Sequence, residues 1–315
     1  MAMSIEATGL AGQAAWPSLP LGDWNDTKDT LHRWVQMIGK TRLALAPPLN
    51  HCWNVTLYLN ARGLTTSPMP YGNRTVEVDL DFIDHQLLVR TSDGATGTLA
   101  LAPRTVADFH REYTALLQSL DLKVRIWPVP SEMEDALPFK EDRQHRSYDP
   151  DSAQRCWRIL SQADQVLQEF RGRFLGKCSP VHFFWGAFDI ACTRFSGRRA
   201  PLHPGGVPHL PDRIVREAYS HECISAGWWP GGGPLPEAVF YAYSYPEPAG
   251  FATASVEPAA AYYHSELREF VLPYEAVRTT GRPADTLLRF LQTTYDAGAD
   301  LGGWDRRSLE RAPEA

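Results

Sequence analysis

Hydrophobic residues along this chain switch between two periods, and the switches divide it into elements. Leu31, Trp34, Val35, Ile38 and Leu45 recur at the spacing of a helix face, and Pro47-Pro48 ends the run. Asp26 and Thr27 stand where a helix cap belongs. From Trp53 to Arg62 the period drops to two. Trp53, Val55, Leu57, Leu59 and Ala61 fall on one face and Asn54, Thr56, Tyr58, Asn60 and Arg62 on the other, which predicts a long strand. Val76, Val78, Leu80 and Phe82 alternate in the same way with Glu77, Asp79 and Asp81. A tight connection at Asp84-His85, a strand over 86–91, a turn at Ser92-Asp93-Gly94 and a strand over 98–101 complete an antiparallel meander with one apolar face. Helical spacing returns over 105–120 through Val106, Phe109, Tyr113, Leu116, Leu117 and Leu120, and a short strand is predicted over 124–127.

The second half opens on a strong helix start. Asp149 caps, Pro150 occupies the first turn, and Ala153, Trp157, Leu160, Ala163, Leu167 and Phe170 follow. Strands are predicted over 180–195, 214–225 and 239–245, with Gly/Pro-rich loops at 196–211 and 227–233 between them. Helices are predicted over 259–270 and 284–297. The chain therefore divides into a loose arm (1–23), a first half (24–128), a Pro-rich charged linker (129–148), a second half (149–301) and a frayed tail (302–315), with both halves packed as one domain. The fold class is α+β: two similar halves, each a largely antiparallel sheet with helices on one face. A shared theme supports the likeness. Gly39-Lys40, His51 and Arg62 in the first half match Gly176-Lys177, His182 and Arg194 in the second. The theme predicts a duplication about a pseudo-twofold axis and a cleft between the halves.

Composition narrows the function classes. Of 315 residues, 43% are hydrophobic and ten are tryptophan, enough to fill a core and line a pocket. The net charge of -6 repels a phosphate backbone, so nucleic acid is not expected as a partner. No apolar run approaches the ~20 residues of a membrane helix, and the first residues lack a secretory pattern, so a cytoplasmic protein with no membrane partner is expected. Five cysteines without a C-x-x-C pair read as reduced thiols.

The chemistry-bearing positions are few. His182, Trp185 and Asp189 lie in an aromatic stretch where a buried ionisable group must find a partner or change its protonation state. On a strand over 214–225, Glu217 and His221 share a face and suit a base and its orienting carboxylate. His182, Asp189, His221 and Glu217 are thus the candidate catalytic residues. His51, Arg62, Lys177, Trp185, Arg194, Trp228 and Trp229 are the candidate ligand-binding residues, the two adjacent tryptophans as a loop closing over a ligand. His51, His182, His221, Glu217 and Asp189 would have to converge to hold a metal. No paired histidine spacing favours that, so no metal is assigned and the cofactor stays unknown. Phosphate-loop, G-x-S-x-G and dinucleotide signatures are absent from the sequence.

The strings Thr30-Leu-His-Arg-Trp34, Ala61-Arg-Gly-Leu-Thr65-Thr-Ser67, Asp81-Phe-Ile-Asp-His85, Thr91-Ser-Asp-Gly94, Lys177-Cys-Ser-Pro-Val-His-Phe-Phe-Trp185, Thr193-Arg-Phe-Ser-Gly197 and Tyr219-Ser-His-Glu222 are distinctive. Together they resemble an uncharacterised bacterial family, domain of unknown function five-nine-nine-six, over roughly 24–291. The resemblance implies one full-length domain and carries over no reaction, cofactor or catalytic residue. Three functions remain in view: an enzyme acting on a small molecule, hydrolysis among its candidate reactions; a non-catalytic ligand-binding protein; and an interaction protein without a pocket. Oligomeric state is left open.

Overall fold

The structure is a computed structural model and describes residues 15–312. Its elements are α1 (Leu21–Leu45), β1 (Tyr58–Asn60), β2 (Gly63–Thr65), β3 (Met69–Tyr71), β4 (Arg74–Asp81), β5 (Gln86–Thr91), β6 (Thr96–Ala100), α2 (Val106–Ser119), α3 (Pro150–Gly172), β7 (His182–Phe184), β8 (Asp189–Arg199), α4 (Asp212–Ala218), β9 (His221–Trp229), β10 (Val239–Tyr245), β11 (Tyr262–His264), β12 (Glu269–Pro273), α5 (Tyr274–Arg278), α6 (Pro283–Leu301) and α7 (Arg306–Leu309). Two antiparallel sheets with helices make this an α+β fold. Sheet one has the order β1-β2-β4-β5-β6, with β3 paired to β4. Sheet two has the order β11-β12-β10-β9-β8-β7.

The sheets meet edge to edge. Leu57, just before β1, and Phe183 of β7 exchange both backbone hydrogen bonds at 2.9 Å. One apolar core then runs through both halves. It joins the buried stripe of α1 (Leu31, Trp34, Val35, Ile38) to α2, α3, α6 and the inward residues of both sheets. Trp34 stacks on Phe109 of α2 with ring centroids 4.5 Å apart. Gly39 is obligatory where α1 crosses Trp185, because a Cβ there would lie 2.3 Å from the indole.

Caps explain the sharp helix starts. Thr105 accepts from the Asp108 amide and Asp149 from the Ser152 amide. The segment 129–148 carries no regular element but is anchored in the core. Phe139 and Asp142 are fully buried. The Asp142 carboxylate accepts from His145 Nδ1 at 2.8 Å and from the backbone amides of Gln144 and His145, and it pairs with the buried Arg33 guanidinium at 3.2 Å.

Several predicted elements are corrected. Residues 50–55 form a 3-10 helix instead of the start of a long strand, because His51 and Cys52 both take φ 58 and Asn54 caps the Leu49 amide. The strand over 180–195 is a hairpin. Phe188 at φ 62 and its amide bond to the Phe184 carbonyl reverse the chain where a kink at Gly186 was expected. Residues 212–218 are α4, supported by an Asp212–Arg216 pair one turn apart, so Glu217 is helical. The 259–270 helix is replaced by β11 and β12. Tyr262-Tyr263 and Phe270-Val271-Leu272 favour strands, and Arg268 at φ 58 closes the turn between them. Gly227, Trp228 and Trp229 end β9 and are no loop. No strand forms over 124–127.

At the ends, Trp16 and Leu19 pack into the core, so this part of the expected arm is held; residues 1–14 lie outside the described region. The expected fraying of the tail fails through α7, where Arg306 pairs with Asp296, Asp300 and Glu310.

Both halves run helix, antiparallel sheet, helix, but the second sheet is no simple meander and the matched residues do not occupy matched places. Lys40 is buried in α1 while Lys177 is exposed beside β8. Arg62 is at the surface, in ion pairs with Asp81 and Asp84, while Arg194 is in the core.

Candidate functional site

Sheet two is buried on both faces: the inner one packs on the main core, and the outer one carries its own smaller cluster. Ile190, Cys192, Ile224, Ala226, Trp228, Phe240, Ala242, Phe270 and Leu272 point into the main core. The alternate residues form a second, small apolar cluster: Ala191, Val239, Tyr241 and Val271, flanked by Phe184, Trp229 and Tyr243 and roofed by Leu235. The middle strands are lined there by Ala191, Thr193, Ser225 and Gly227, small groups that leave a floor, with Thr193 Oγ1 and Ser225 Oγ bonded at 2.9 Å. Aromatic walls stand around it. Tyr241 and Tyr243 are stacked, and Tyr219 closes over Tyr243 through a 2.7 Å hydroxyl pair. Asp189 and Phe195 mark the ends of the floor on β8, ~20 Å apart at ~3.4 Å per residue.

The Asp189 end is acidic. Tyr241 on β10 donates its hydroxyl across β9 to Asp189 on β8. Gly227 makes this reach possible, since a Cβ there would lie 2.7 Å from the Tyr241 hydroxyl. Burial pushes the Asp189 carboxyl up to about 7, and the neighbouring Glu132 carboxylate adds to the shift. Glu269 on β12 is also raised to about 7, by burial and then by Asp189.

Glu132 is delivered by the anchored segment. Gln36 bonds the Ser131 amide and carbonyl, both at 2.7 Å, and Lys40 Nζ bonds Ser131 Oγ at 2.7 Å. The Glu132 amide is tied to the Pro208 carbonyl, and its carboxylate lies over Gly186, where a Cβ would meet Oε1 at 1.9 Å. Glu132 is exposed as a residue, yet the protein packed around its carboxyl raises it. Burial lowers Lys40 to about 8, against the pull of Glu132.

The Phe195 end is basic. His51 Nδ1 donates to the Ala218 carbonyl at 2.9 Å, which leaves Nε2 as an acceptor, and Lys177 Nζ lies 2.6 Å from it. The ammonium also sits over the rings of Trp53 and Phe195 at 5.4 and 5.2 Å. His221 follows, its ring centroid 5.6 Å from that of His51 and its Nδ1 bonded to Ser220 Oγ. Burial, then Lys177 and Arg199, lower His221.

The structure thus gathers Asp189, Trp229, Lys177, His51 and His221 on one face, at two ends. Of the remaining candidates, His182 shares this face through its pairing with Ala191 but is sealed from it by its neighbours, and the others lie elsewhere. His182 is fully buried among Trp53, Tyr58 and Phe184 with neither ring nitrogen bonded, and burial holds it neutral, at about 3. No carboxylate orients it. Glu217 is exposed on α4 and makes no side-chain hydrogen bond to His221. Arg194 faces the core, its guanidinium stacked over Phe170 and Tyr295. Arg62 is a surface ion-pair residue. Trp185 is packed between α1 and the Val55 carbonyl that its Nε1 bonds, and Trp228 is a core residue. The adjacent tryptophans therefore point to opposite faces of β9 and form no lid. A hollow of about 650 Å³ beside Arg104, Asp108 and Asp149 contains none of these residues.

Tyr241, Glu132 and Glu269 were missed in the sequence. The alternation Tyr241, Tyr243, Tyr245 on a predicted strand was the available signal for the first. Among the described residues no group of three or more His, Cys, Asp or Glu side chains is placed to hold a metal, and no helix is long and apolar enough to cross a membrane.

The chain matches a family of unknown function (DUF5996) over residues 16–311 and belongs to it. No curated protein and no solved structure matches it.

Proposed function

We propose that this member of the family is an acid–base enzyme for an elongated small molecule bound along the outer face of sheet two. Asp189 transfers the proton. A carboxyl poised near neutral pH serves as acid or base with little penalty in either direction. Tyr241 holds Oδ2 and so leaves Oδ1 for the substrate. Glu132 and Glu269 keep a proton on the cluster by like-charge repulsion, and Trp229, Phe184 and Tyr243 shape an apolar wall. Hydrolysis, with Asp189 protonating the leaving group, is the reaction class this arrangement suits.

The observation that carries the reading is the Asp189–Tyr241 pair beside two further carboxyl groups, Glu132 and Glu269. The test is a panel of chromogenic esters, glycosides, amides and phosphate esters assayed with the native protein and with Asp189→Asn. The expected result is a kcat/KM limb near pH 7 and a loss of ~10²–10⁴-fold in the variant. Turnover that survives the substitution, or an Asp189 carboxyl titrating near 4 by carbon NMR, would overturn it. Binding without turnover, indifferent to Asp189→Asn, would favour the non-catalytic reading.

A further inference from the structure

We propose that the basic end of the same face is an oxyanion site in which Lys177 Nζ, His221 Nε2 and the Arg199 guanidinium take a phosphate or carboxylate group of the ligand.

The three groups are brought together by pairing. Arg199 and His221 are directly opposed in the β8–β9 register, and Lys177 lies beside Phe195, where its carbonyl accepts the Phe195 amide. Among the described residues, none of the three forms an ion pair with a carboxylate, although acidic residues outnumber basic ones 37 to 31 in this chain. Adjacent Arg198 shows the contrast: Glu222 and the carbonyls of Gly302 and Gly303 use its guanidinium. Cation clusters left without counter-charges repel one another, and an arriving anion relieves that repulsion.

The donors are also pre-set. Lys177 gives one N–H to His51 Nε2, which fixes the ammonium over two aromatic rings and leaves its other hydrogens free. His221 engages Ser220 through Nδ1, so its Nε2 remains unused. His51 is held in place at a cost, since it and Cys52 are consecutive non-glycine residues at φ 58. Such backbone conformations persist where surrounding structure enforces them. Glu217 and Arg213 of α4 lie near Cys52, one acid and one base.

The site rests on geometry separate from Asp189, so the two readings fail separately. Calorimetric titration with inorganic phosphate and, in a second arm, acetate tells the two anion classes apart. The native protein is expected to bind at least one of them saturably. Lys177→Met and Arg199→Met, both at exposed positions, should each weaken binding about tenfold, the worth of one charge-assisted hydrogen bond. Arg198→Met should leave it within about twofold. No saturable binding of either anion, or unchanged binding in both methionine variants with native melting behaviour, would overturn the proposal.

Discussion

Tyr241 reaches Asp189 because Gly227, on the strand between them, presents no side chain. Three strands thus cooperate in one hydrogen bond, and the acid it orients is held in an environment that resists its ionisation.

This has a measurable cost. The Asp189 carboxyl is raised to about 7 in the fold, against ~3.9 in an unfolded chain. Its favourable contribution is complete below ~4 and is lost as pH rises through about 7, so ionised Asp189 destabilises the protein at pH 8. Asp189→Asn is therefore expected to raise Tm at pH 8 by the equivalent of a few kcal/mol, at ~1.4 kcal/mol per pKa unit, and to change it little at pH 4. Scanning calorimetry across that range checks this. An equal shift at every pH would refute the raised carboxyl.

Acid should unfold the protein through two histidines. His32, buried and bonded to the carbonyls of Trp185 and Gly186, is lowered to about 3, as is His182. Their unfolded value is ~6.5, so the stability they confer is present above that pH and is lost as pH falls toward 3. The loss reaches ~1.4 kcal/mol per pH unit for each. His182→Phe, in a pocket already lined by Trp53, Tyr58 and Phe184, should remove one share of the slope. Urea unfolding between pH 7 and 4 reads it directly.

Asp142→Ala leaves the buried Arg33 side chain without one of its two carboxylate partners and frees the loop amides of Gln144 and His145. Breaking a buried pair costs ~3–5 kcal/mol. Chemical denaturation should show a loss of that size, together with protease sensitivity around residue 140.

Among the thiols, Cys178 is set apart. A hydrogen bond with Cys192, Sγ to Sγ 3.5 Å, and then Arg194 and Arg171 lower it, whereas burial raises Cys52, Cys156 and Cys223. Iodoacetamide at neutral pH should label Cys178 first, with mass spectrometry of the digest as the measurement. Preferential labelling of Cys52 would contradict this ordering.

Much of the fold was legible because several elements carry their own punctuation. Asp149-Pro150 starts α3, Thr105 caps α2, and the run of β4 alternates apolar with charged residues. The 259–270 segment misled because Tyr262-Tyr263 and Phe270-Val271-Leu272 gain more by pairing with each other and with β10 than by local helical spacing. Arg194 misled for a related reason. Reading 180–195 as one strand put it on the side of His182, and the turn at 185–188 reverses that relation. Asp189, Lys177, His51, His221 and Trp229 were visible as residue types in suggestive surroundings. Glu132 was not, because its place depends on Gln36 and Lys40 gripping Ser131 from a helix 91–95 positions earlier.

The Leu57–Phe183 bridge has a mechanical corollary. Cleavage within 129–148 would leave two fragments still stitched along a common seam, because each supplies the strand edge that the other covers. Expressed alone, either fragment would display that edge bare, an invitation to indiscriminate strand pairing.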